Sequence, residues 1–339
     1  MASITSTQPA PAANDHDHVV APAPVEPGGL ITAHGLTKSF GEQAAVSALE
    51  LSIPRGIIFG LIGPSGCGKT TTIRLMTGVY LPTSGSVTVL GRSPEKFSAS
   101  TRRMLGYLPQ NFVLYPSLSV WQNLNFSASL YGMGFLRAGR FKELLEFVEL
   151  YQHRNKLARH LSGGMQRRLA LACTLVHDPT VIFLDEPTAG IDPVLRRKFW
   201  DYFQALRGRG RTIVVTTQYV GEAVYCDLVG VMAAGRILVV DTPDGLRRRA
   251  FGGEIVDLQA AGPIDEATLA DLRALPYIGP IQIANPSSLR LTVSDAGTVV
   301  PALVEWAKAR NLRIRSVEKY VPPLDDAFVE LVKGAPSGD

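Results

Sequence analysis

Ile57-Ile58-Phe59-Gly60-Leu61-Ile62-Gly63-Pro64-Ser65-Gly66-Cys67-Gly68-Lys69-Thr70 is the stretch on which the fold turns. Its first six residues are a short, almost wholly apolar run rich in isoleucine, the pattern of a strand buried on both faces of a parallel sheet. The next eight fit G-x-x-x-x-G-K-[ST], and a helical pattern opens at Lys69. Strand, glycine-rich turn and helix start, in that order, make a phosphate cradle. The glycines let successive backbone N–H groups point inward at phosphate oxygens, and the helix N-terminus adds the positive end of its dipole. In that setting Lys69 is expected to reach the β- and γ-phosphates of a nucleotide, and the Thr70 hydroxyl to ligate Mg²⁺. A bare glycine turn before a helix would need neither the lysine nor the threonine.

Working outward, Val181-Ile182-Phe183-Leu184-Asp185-Glu186 is an apolar strand that ends in two acids. Such a run presents its carboxylates at the C-terminal edge of the sheet, where α/β folds bind ligands. Asp185 is expected to hold Mg²⁺ through water, and Glu186 to polarise the attacking water as general base. Val87 to Leu90, Gly106 to Leu108 and Ile213 to Thr216 read as further strands. Phe141, Leu144, Leu145 and Val148 recur at helical spacing with charged residues between them, so one face of that helix lies in a core. Strands alternating with helices predict a parallel α/β sheet.

Beyond about residue 252 the texture changes. Strands at 255–259, 281–284, 289–293 and 312–318, with helices at 265–275 and 298–310, give the order βαββαβ of a small ferredoxin-like α+β domain. A last helix, about 324–332, follows Pro322-Pro323. At the other end, residues 1–28 are rich in Ala, Pro, Ser and Thr, a composition expected to be disordered. His16-Asp17-His18 within it is not read as a metal site.

The 339 residues suffice for one large domain and one small one, and 46% hydrophobic residues can bury a full core. A net charge of +4 is too mild to argue for nucleic acid. Arg247-Arg248-Arg249 reads as a solvated helix end. Cys67, Cys173 and Cys226 show no CxxC spacing, which argues for an intracellular protein without disulfides or a zinc site. The most hydrophobic tract, Leu228 to Val240, is broken by Gly235-Arg236 and falls short of the roughly 18 apolar residues of a membrane span. No basic start with an apolar core marks a secretory signal.

Between the two phosphate-site motifs stands Leu161-Ser162-Gly163-Gly164-Met165-Gln166-Arg167-Arg168. A serine and two glycines at a helix start make a second anion nest, which a single phosphate site does not need and for which a P-loop kinase has no use. With this element the chain resembles the nucleotide-binding domains of ABC (ATP-binding cassette) proteins over about residues 30 to 250. The resemblance implies a P-loop NTPase (RecA-like) ATPase domain at 29–251, with antiparallel β and α-helical subdomains (the latter about 112–165), followed by the accessory domain at 252–335. It implies ATP and Mg²⁺ as cofactors. Gly63, Pro64, Ser65, Gly66, Cys67, Gly68, Lys69, Thr70 and Thr71 would hold the nucleotide, and Phe40 would stack on adenine, although an ordinary core aromatic is the other reading of that residue. Gln110 matches the glutamine that senses Mg²⁺ and the attacking water, so the metal set becomes Thr70, Gln110 and Asp185. Ser162, Gly163, Gly164 and Met165, where the family usually has Gln at the last position, would bind the γ-phosphate held by a partner protomer. Asp192, in Ala189-Gly190-Ile191-Asp192, would lie in the loop that crosses the dimer interface. One position departs from the pattern: Gln218 stands where the family has its switch histidine, in Thr216-Thr217-Gln218-Tyr219. A glutamine can donate a hydrogen bond to a γ-phosphate but cannot carry a proton. Lys69, Glu186 and Gln218 are the expected catalytic set.

Within the family the chain looks most like the ATP-binding subunits of ABC-2 type exporters, including the daunorubicin-resistance group. Thr216-Thr217-Gln218-Tyr219, the segment Asp241 to Leu246 and the tail Pro322-Pro323-Leu324-Asp325-Asp326-Ala327-Phe328 carry that likeness. It implies a head-to-tail homodimer or heterodimer of ATPase subunits on a separately encoded transmembrane permease, cytoplasmic and peripheral on the inner face of the membrane, with no nucleic acid partner. A non-transport ABC ATPase, and a regulatory ABC protein slowed by Gln218, remain as alternatives.

Overall fold

The computed structural model describes residues 29–111, 113–134 and 137–333. The expectations for residues 1–28 and for the last two residues of the 252–335 unit lie outside that range.

The chain opens with β1 (Ile31–Phe40) and β2 (Gln43–Ile53), an antiparallel pair. Then comes β3 (Ile58–Ile62), buried at all five positions, followed after the glycine-rich turn by α1 (Lys69–Met76). β4 (Ser84–Val89) returns to pair with β1, closing a three-stranded sheet of order β2-β1-β4. α2 (Ala99–Arg103) leads into β5 (Leu105–Leu108). Helices α3 (Val120–Leu130), α4 (Ala138–Phe147) and α5 (Gly163–Leu175) follow, and Phe141, Leu144, Leu145 and Val148 are buried as their spacing predicts. β6 (Val181–Asp185), α6 (Pro193–Gly208), β7 (Thr212–Thr217), β8 (Leu228–Ala233) and β9 (Arg236–Asp241) complete the main sheet, of order β5-β6-β7-β3-β8-β9. Its first five strands are parallel. One apolar core lies between the two sheets; a second lies under α3 to α6, with Phe199, Trp200 and Phe203 of α6 fully buried.

The apolar tract at 228–240 is the hairpin β8–β9. Its break is the turn itself: Ala234 and Gly235 both take left-handed backbone, with φ of 45° and 77°. No helix among the described residues is long and apolar enough to cross a membrane.

α7 (Pro243–Phe251) links to β10 (Glu254–Ala260), α8 (Glu266–Arg273), β11 (Ile278–Asn285), β12 (Ser288–Val293), α9 (Ala296–Ala309) and β13 (Ile314–Tyr320). The sheet order β11-β12-β10-β13, antiparallel throughout, is ferredoxin-like. The last strand starts two residues later than the sequence pattern suggests. Asn311, at φ 54°, ends α9 in a left-handed turn and spends residues 311–313 on the corner. The three arginines at 247–249 are all paired, Arg247 with Asp244 at 2.7 Å, Arg248 with Glu254 at 3.7 Å and Arg249 with Asp241 at 2.6 Å. The final helix, α10 (Leu324–Lys333), turns back onto the first unit. It packs on α7 and on the 3-10 turn Val220–Tyr225, with Phe328, Leu331 and Val332 against the large helical core.

Candidate functional site

Parallel register explains why distant residues meet. β3 pairs with β7 from Ile58↔Ile213 to Ile62↔Thr217, and β6 pairs with β7 up to Asp185↔Thr216. β5 pairs with β6 up to Leu108↔Leu184. Gly63, Gln110, Asp185, Glu186 and Gln218 therefore leave four adjacent strands at the same C-terminal edge of the sheet.

The loop from Gly63 to Gly68 wraps the lysine. Lys69 Nζ donates to the carbonyls of Gly63 at 2.8 Å and Pro64 at 2.9 Å and is only 5% exposed. Two glycines are obligatory. A Cβ on Gly63 would lie 2.2 Å from the Met232 carbonyl oxygen, and one on Gly68, at φ 110°, would lie 2.3 Å from that of Ala45. Gly68 is the N-cap of α1, so the first turn of that helix opens into the loop. Cys67 is buried beside the lysine; burial pushes its thiol pKa up, against the opposing pull of Lys69.

The two acids divide by environment. Asp185 is fully buried and its Oδ1 accepts from Thr70 Oγ1 at 3.1 Å and Thr216 Oγ1 at 2.5 Å. Its Oδ2 is buried with no hydrogen-bond partner among the described residues. A buried carboxylate oxygen left unpaired beside a threonine hydroxyl fits a divalent cation, and one carboxylate plus phosphate oxygens suits Mg²⁺. Glu186 is half-buried and holds a left-handed backbone, φ 51°. Such a conformation costs a non-glycine residue about 1–3 kcal/mol and persists where surrounding structure enforces it. Here the enforcement is visible: Glu186 N donates to both the carbonyl and the hydroxyl of Thr216 at 3.1 Å. Arg167 of α5 donates through Nη2 to the Glu186 carbonyl and, at 3.3 Å, to that of Asp185. Burial holds the Arg167 pKa below its usual value despite the two acids. The Glu186 side chain meets Gln110, whose Nε2 donates to Oε2 at 3.3 Å. Gln110 thus sits on Glu186; among the described residues its amide makes no hydrogen bond to Asp185 or Thr70.

Phe40 is 47% exposed, which removes its reading as a core aromatic. Tyr80 meets it edge-on at 5.4 Å, and Arg74 of α1 donates to the Tyr80 hydroxyl at 2.9 Å. Ser162 is exposed and caps α5, accepting from Met165 N at 3.3 Å. Among the described residues no hydrogen bond joins Ser162, Gly163, Gly164 or Met165 to the phosphate loop. Asp192 is the N-cap of α6, accepting from Leu195 N at 3.0 Å. Gln218 is exposed at the end of β7. Thr71, in the first turn of α1, is half-buried.

The pattern of the ABC transporter family matches residues 46–189. The linearmycin resistance ATP-binding protein of Bacillus subtilis is 32% identical to this chain over 306 residues, 89% of the chain and 98% of the relative. The chain belongs to the ABC transporter family. The daunorubicin resistance ATP-binding protein DrrA3 of Streptomyces coeruleorubidus is 35% identical over 304 residues, 89% of this chain and 95% of its own length. A third relative, the Escherichia coli "Probable multidrug ABC transporter ATP-binding protein YbhF", is 41% identical over 229 residues, and there the chain spans only 40% of the relative. Among solved structures, an ATP-binding subunit of an ABC transporter superposes with TM-score 0.61 and 27% identity, over 66% of this chain and 93% of its own. A dimeric ATP-binding cassette bound to ADP and phosphate in a post-hydrolysis state superposes with TM-score 0.58 and 26% identity, over 62% and 98%. The ABC cassette thus has its phosphate loop and acids on one strand edge. Two residues that motif reading does not single out tie into the acids: Thr216, bonded to Asp185 and to the Glu186 backbone, and Arg167, bonded to both their carbonyls. Register alone could have found Thr216, because it ends the strand next to Asp185.

Proposed function

We propose that this cassette binds Mg-ATP and hydrolyses it at the interface of a head-to-tail pair, and so drives export through a separately encoded permease. The observation that carries the reading is the convergence of Lys69, Thr70, Gln110, Asp185 and Glu186 at one strand edge, with a cation-ready oxygen on Asp185. In this reading the backbone from Gly63 to Thr71 and Lys69 hold the phosphates, and Phe40 stacks on the base. Thr70 and Asp185 hold Mg²⁺, with Gln110 reaching it through the attacking water. The ion would neutralise charge on the β- and γ-phosphate oxygens. Glu186, held by Thr216 and Arg167, orients and deprotonates the water. Gln218 donates to the γ-phosphate. Ser162, Gly163, Gly164 and Met165 serve the partner's nucleotide, and Asp192 lies in the crossing loop.

The export reading leans on the names of the relatives and on a groove. Between the end of α1, α2, β5 and α3 lies a cavity of about 390 Å³ lined by Phe97, Arg102, Arg103, Tyr107, Leu130 and Tyr131. Val79 and Leu130 stand 55% and 69% exposed at its edge. An apolar floor with a basic rim suits a short segment of a membrane protein, which would keep the chain on the inner face of the membrane. Residues 29–251 act as the ATPase unit in this scheme, with 112–165 as its helical part, and the unit from 252 onward is an accessory domain.

The test is ATP turnover in wild type, Glu186→Gln, Gln218→His and Gln218→Ala. Loss of the general base is expected to slow turnover by about 10²–10⁴-fold. A wild type no faster than Glu186→Gln would overturn the reading of an active site. Mild-detergent extraction from native membranes should bring down a multi-span permease in stoichiometric amount; recovery without one would remove the export reading and leave the ATPase.

A further inference from the structure

Glu222 is 4% exposed, in the 3-10 turn that follows β7, and none of the roles above uses it. A buried carboxylate persists only when hydrogen bonds and a countercharge replace its water. Here they do. Its two oxygens accept from Thr188 Oγ1 at 2.8 and 3.0 Å, and Oε2 also accepts from Thr217 Oγ1 at 2.9 Å. Arg196 Nε stands 3.5 Å from Oε1. Burial pushes the Glu222 pKa up, while both hydroxyls and Arg196 pull it back.

The partners come from the two loops that flank the γ-phosphate side of the site. Thr188 lies two residues after Glu186, in the loop leading to Asp192. Arg196 of α6 anchors the same loop by donating to the Ile191 carbonyl at 3.2 Å, and its guanidinium lies 4.8 Å over the Tyr219 ring. Thr217 immediately precedes Gln218. A hydroxyl has one proton. Thr217 gives it to Glu222 and turns a lone pair to the Tyr219 N–H at 3.0 Å, so the backbone is held on both sides of Gln218.

We propose that Glu222 is a positioning residue that locks the Thr188–Asp192 loop to the Gln218 segment, so that the loop crossing to the partner and the γ-phosphate contact move as one body. The proposal rests on the reading of Gln218 as that contact. A merely structural carboxylate would cost stability and slow turnover by a factor independent of Gln218. A positioning residue loses its effect when Gln218 is gone.

The experiment is a double-mutant cycle on the full chain: kcat and KM for ATP in wild type, Glu222→Gln, Gln218→Ala and the double variant, with melting transitions alongside. Glu222→Gln keeps volume but puts an amide N–H₂ against two hydroxyl donors and Arg196. It is expected to lower kcat about tenfold with KM within about twofold, and to change kcat less than about twofold in the Gln218→Ala background. An equal fall in both backgrounds, or no fall in the single variant, overturns the proposal. Gln218→Ala by itself reports on the γ-phosphate reading; wild-type turnover there removes that reading and this proposal with it. A slow Gln218→Ala with an additive double variant removes the proposal alone. Should Glu222→Gln melt early, Thr188→Val withdraws one donor at nearly constant volume and runs the same cycle.

Discussion

Thr216→Val isolates the hydrogen bonding behind both acids, because valine keeps the shape of threonine and discards only the hydroxyl. Thr216 is fully buried; its Oγ1 donates to Asp185 Oδ1 at 2.5 Å and accepts from Glu186 N at 3.1 Å. Glu186 N keeps the Thr216 carbonyl as an acceptor, so the backbone loses a shared bond and not its only one. Asp185 fares worse: Oδ2 already lacks a partner, and Oδ1 would retain Thr70 alone. A hydrogen bond to a charged group contributes about 1.5–3 kcal/mol. Lost from the carboxylate proposed to hold Mg²⁺, it corresponds to a fall of about tenfold to a hundredfold in kcat, with a matching rise in the Mg²⁺ concentration for half-maximal rate. The assay is steady-state phosphate release across a Mg²⁺ titration, with Thr216→Ser as the hydroxyl-bearing control. A valine variant within about twofold of wild type at every Mg²⁺ concentration would refute the reasoning, as would a serine variant equally slow.

Phe40→Ala should weaken ATP binding by about five- to hundredfold, the worth of about 1–3 kcal/mol for one base on one ring, while Phe40→Tyr stays close to wild type. The ring is 47% exposed, so the melting transition should barely move; equal affinities in equilibrium nucleotide binding would show that the base does not stack there. His177 gives a pH signature. Burial holds its pKa below the usual 6.5, its ring lies flat on Tyr131 at 3.5 Å, and Nε2 meets the Leu105 carbonyl at 2.9 Å. A depressed histidine pKa means that the unfolded chain binds the proton more tightly. The associated stability is therefore present above pH 6.5 and lost as pH falls through the folded value. Chemical denaturation at pH 7.5 and pH 5.5 should show a larger loss in wild type than in His177→Gln, and equal losses would count against it.

What could be read in the sequence was what lies close together along the chain. Gly63 to Thr70 and Asp185-Glu186 are each one strand end, so their chemistry is written in consecutive residues. Thr216 to Asp185, 31 residues apart, and Glu222 to Thr188, 34 apart, exist only once parallel strands set a register. Arg167 was quoted within its motif, yet its bond to the carbonyl of Glu186 depends on how α5 crosses the end of β6. The strands β1 and β2 left little trace, because register shifts interrupt their alternation between Ala33 and Ser39. By contrast the βαββαβ order beyond residue 252 survived with small shifts, since its two central strands carry apolar residues at alternate positions: Val256 and Leu258, and Leu289, Leu291 and Val293, all lie in one core.

The proposed head-to-tail pair gives the two anion nests different tasks. In the proposed reading one nucleotide is served within the chain, its phosphates by the loop and Lys69 and its cation by Thr70 and Asp185. The second nest, at the start of α5, stays exposed at Ser162 and Gly163, and its serine caps its own helix by accepting from Met165 N. α5 also carries Arg167, which grips the carbonyl of Glu186. A phosphate bound at the N-terminus of α5 would therefore act on Glu186, the proposed general base, through one helix. In the proposed head-to-tail pair that phosphate would belong to the partner's nucleotide, so the placement of each chain's Glu186 would respond to the occupancy of the other chain's site. Both sites would then close together, and Glu222, by joining the Thr188–Asp192 loop to the Gln218 segment, would make the same coupling reach the proposed γ-phosphate contact from its other side.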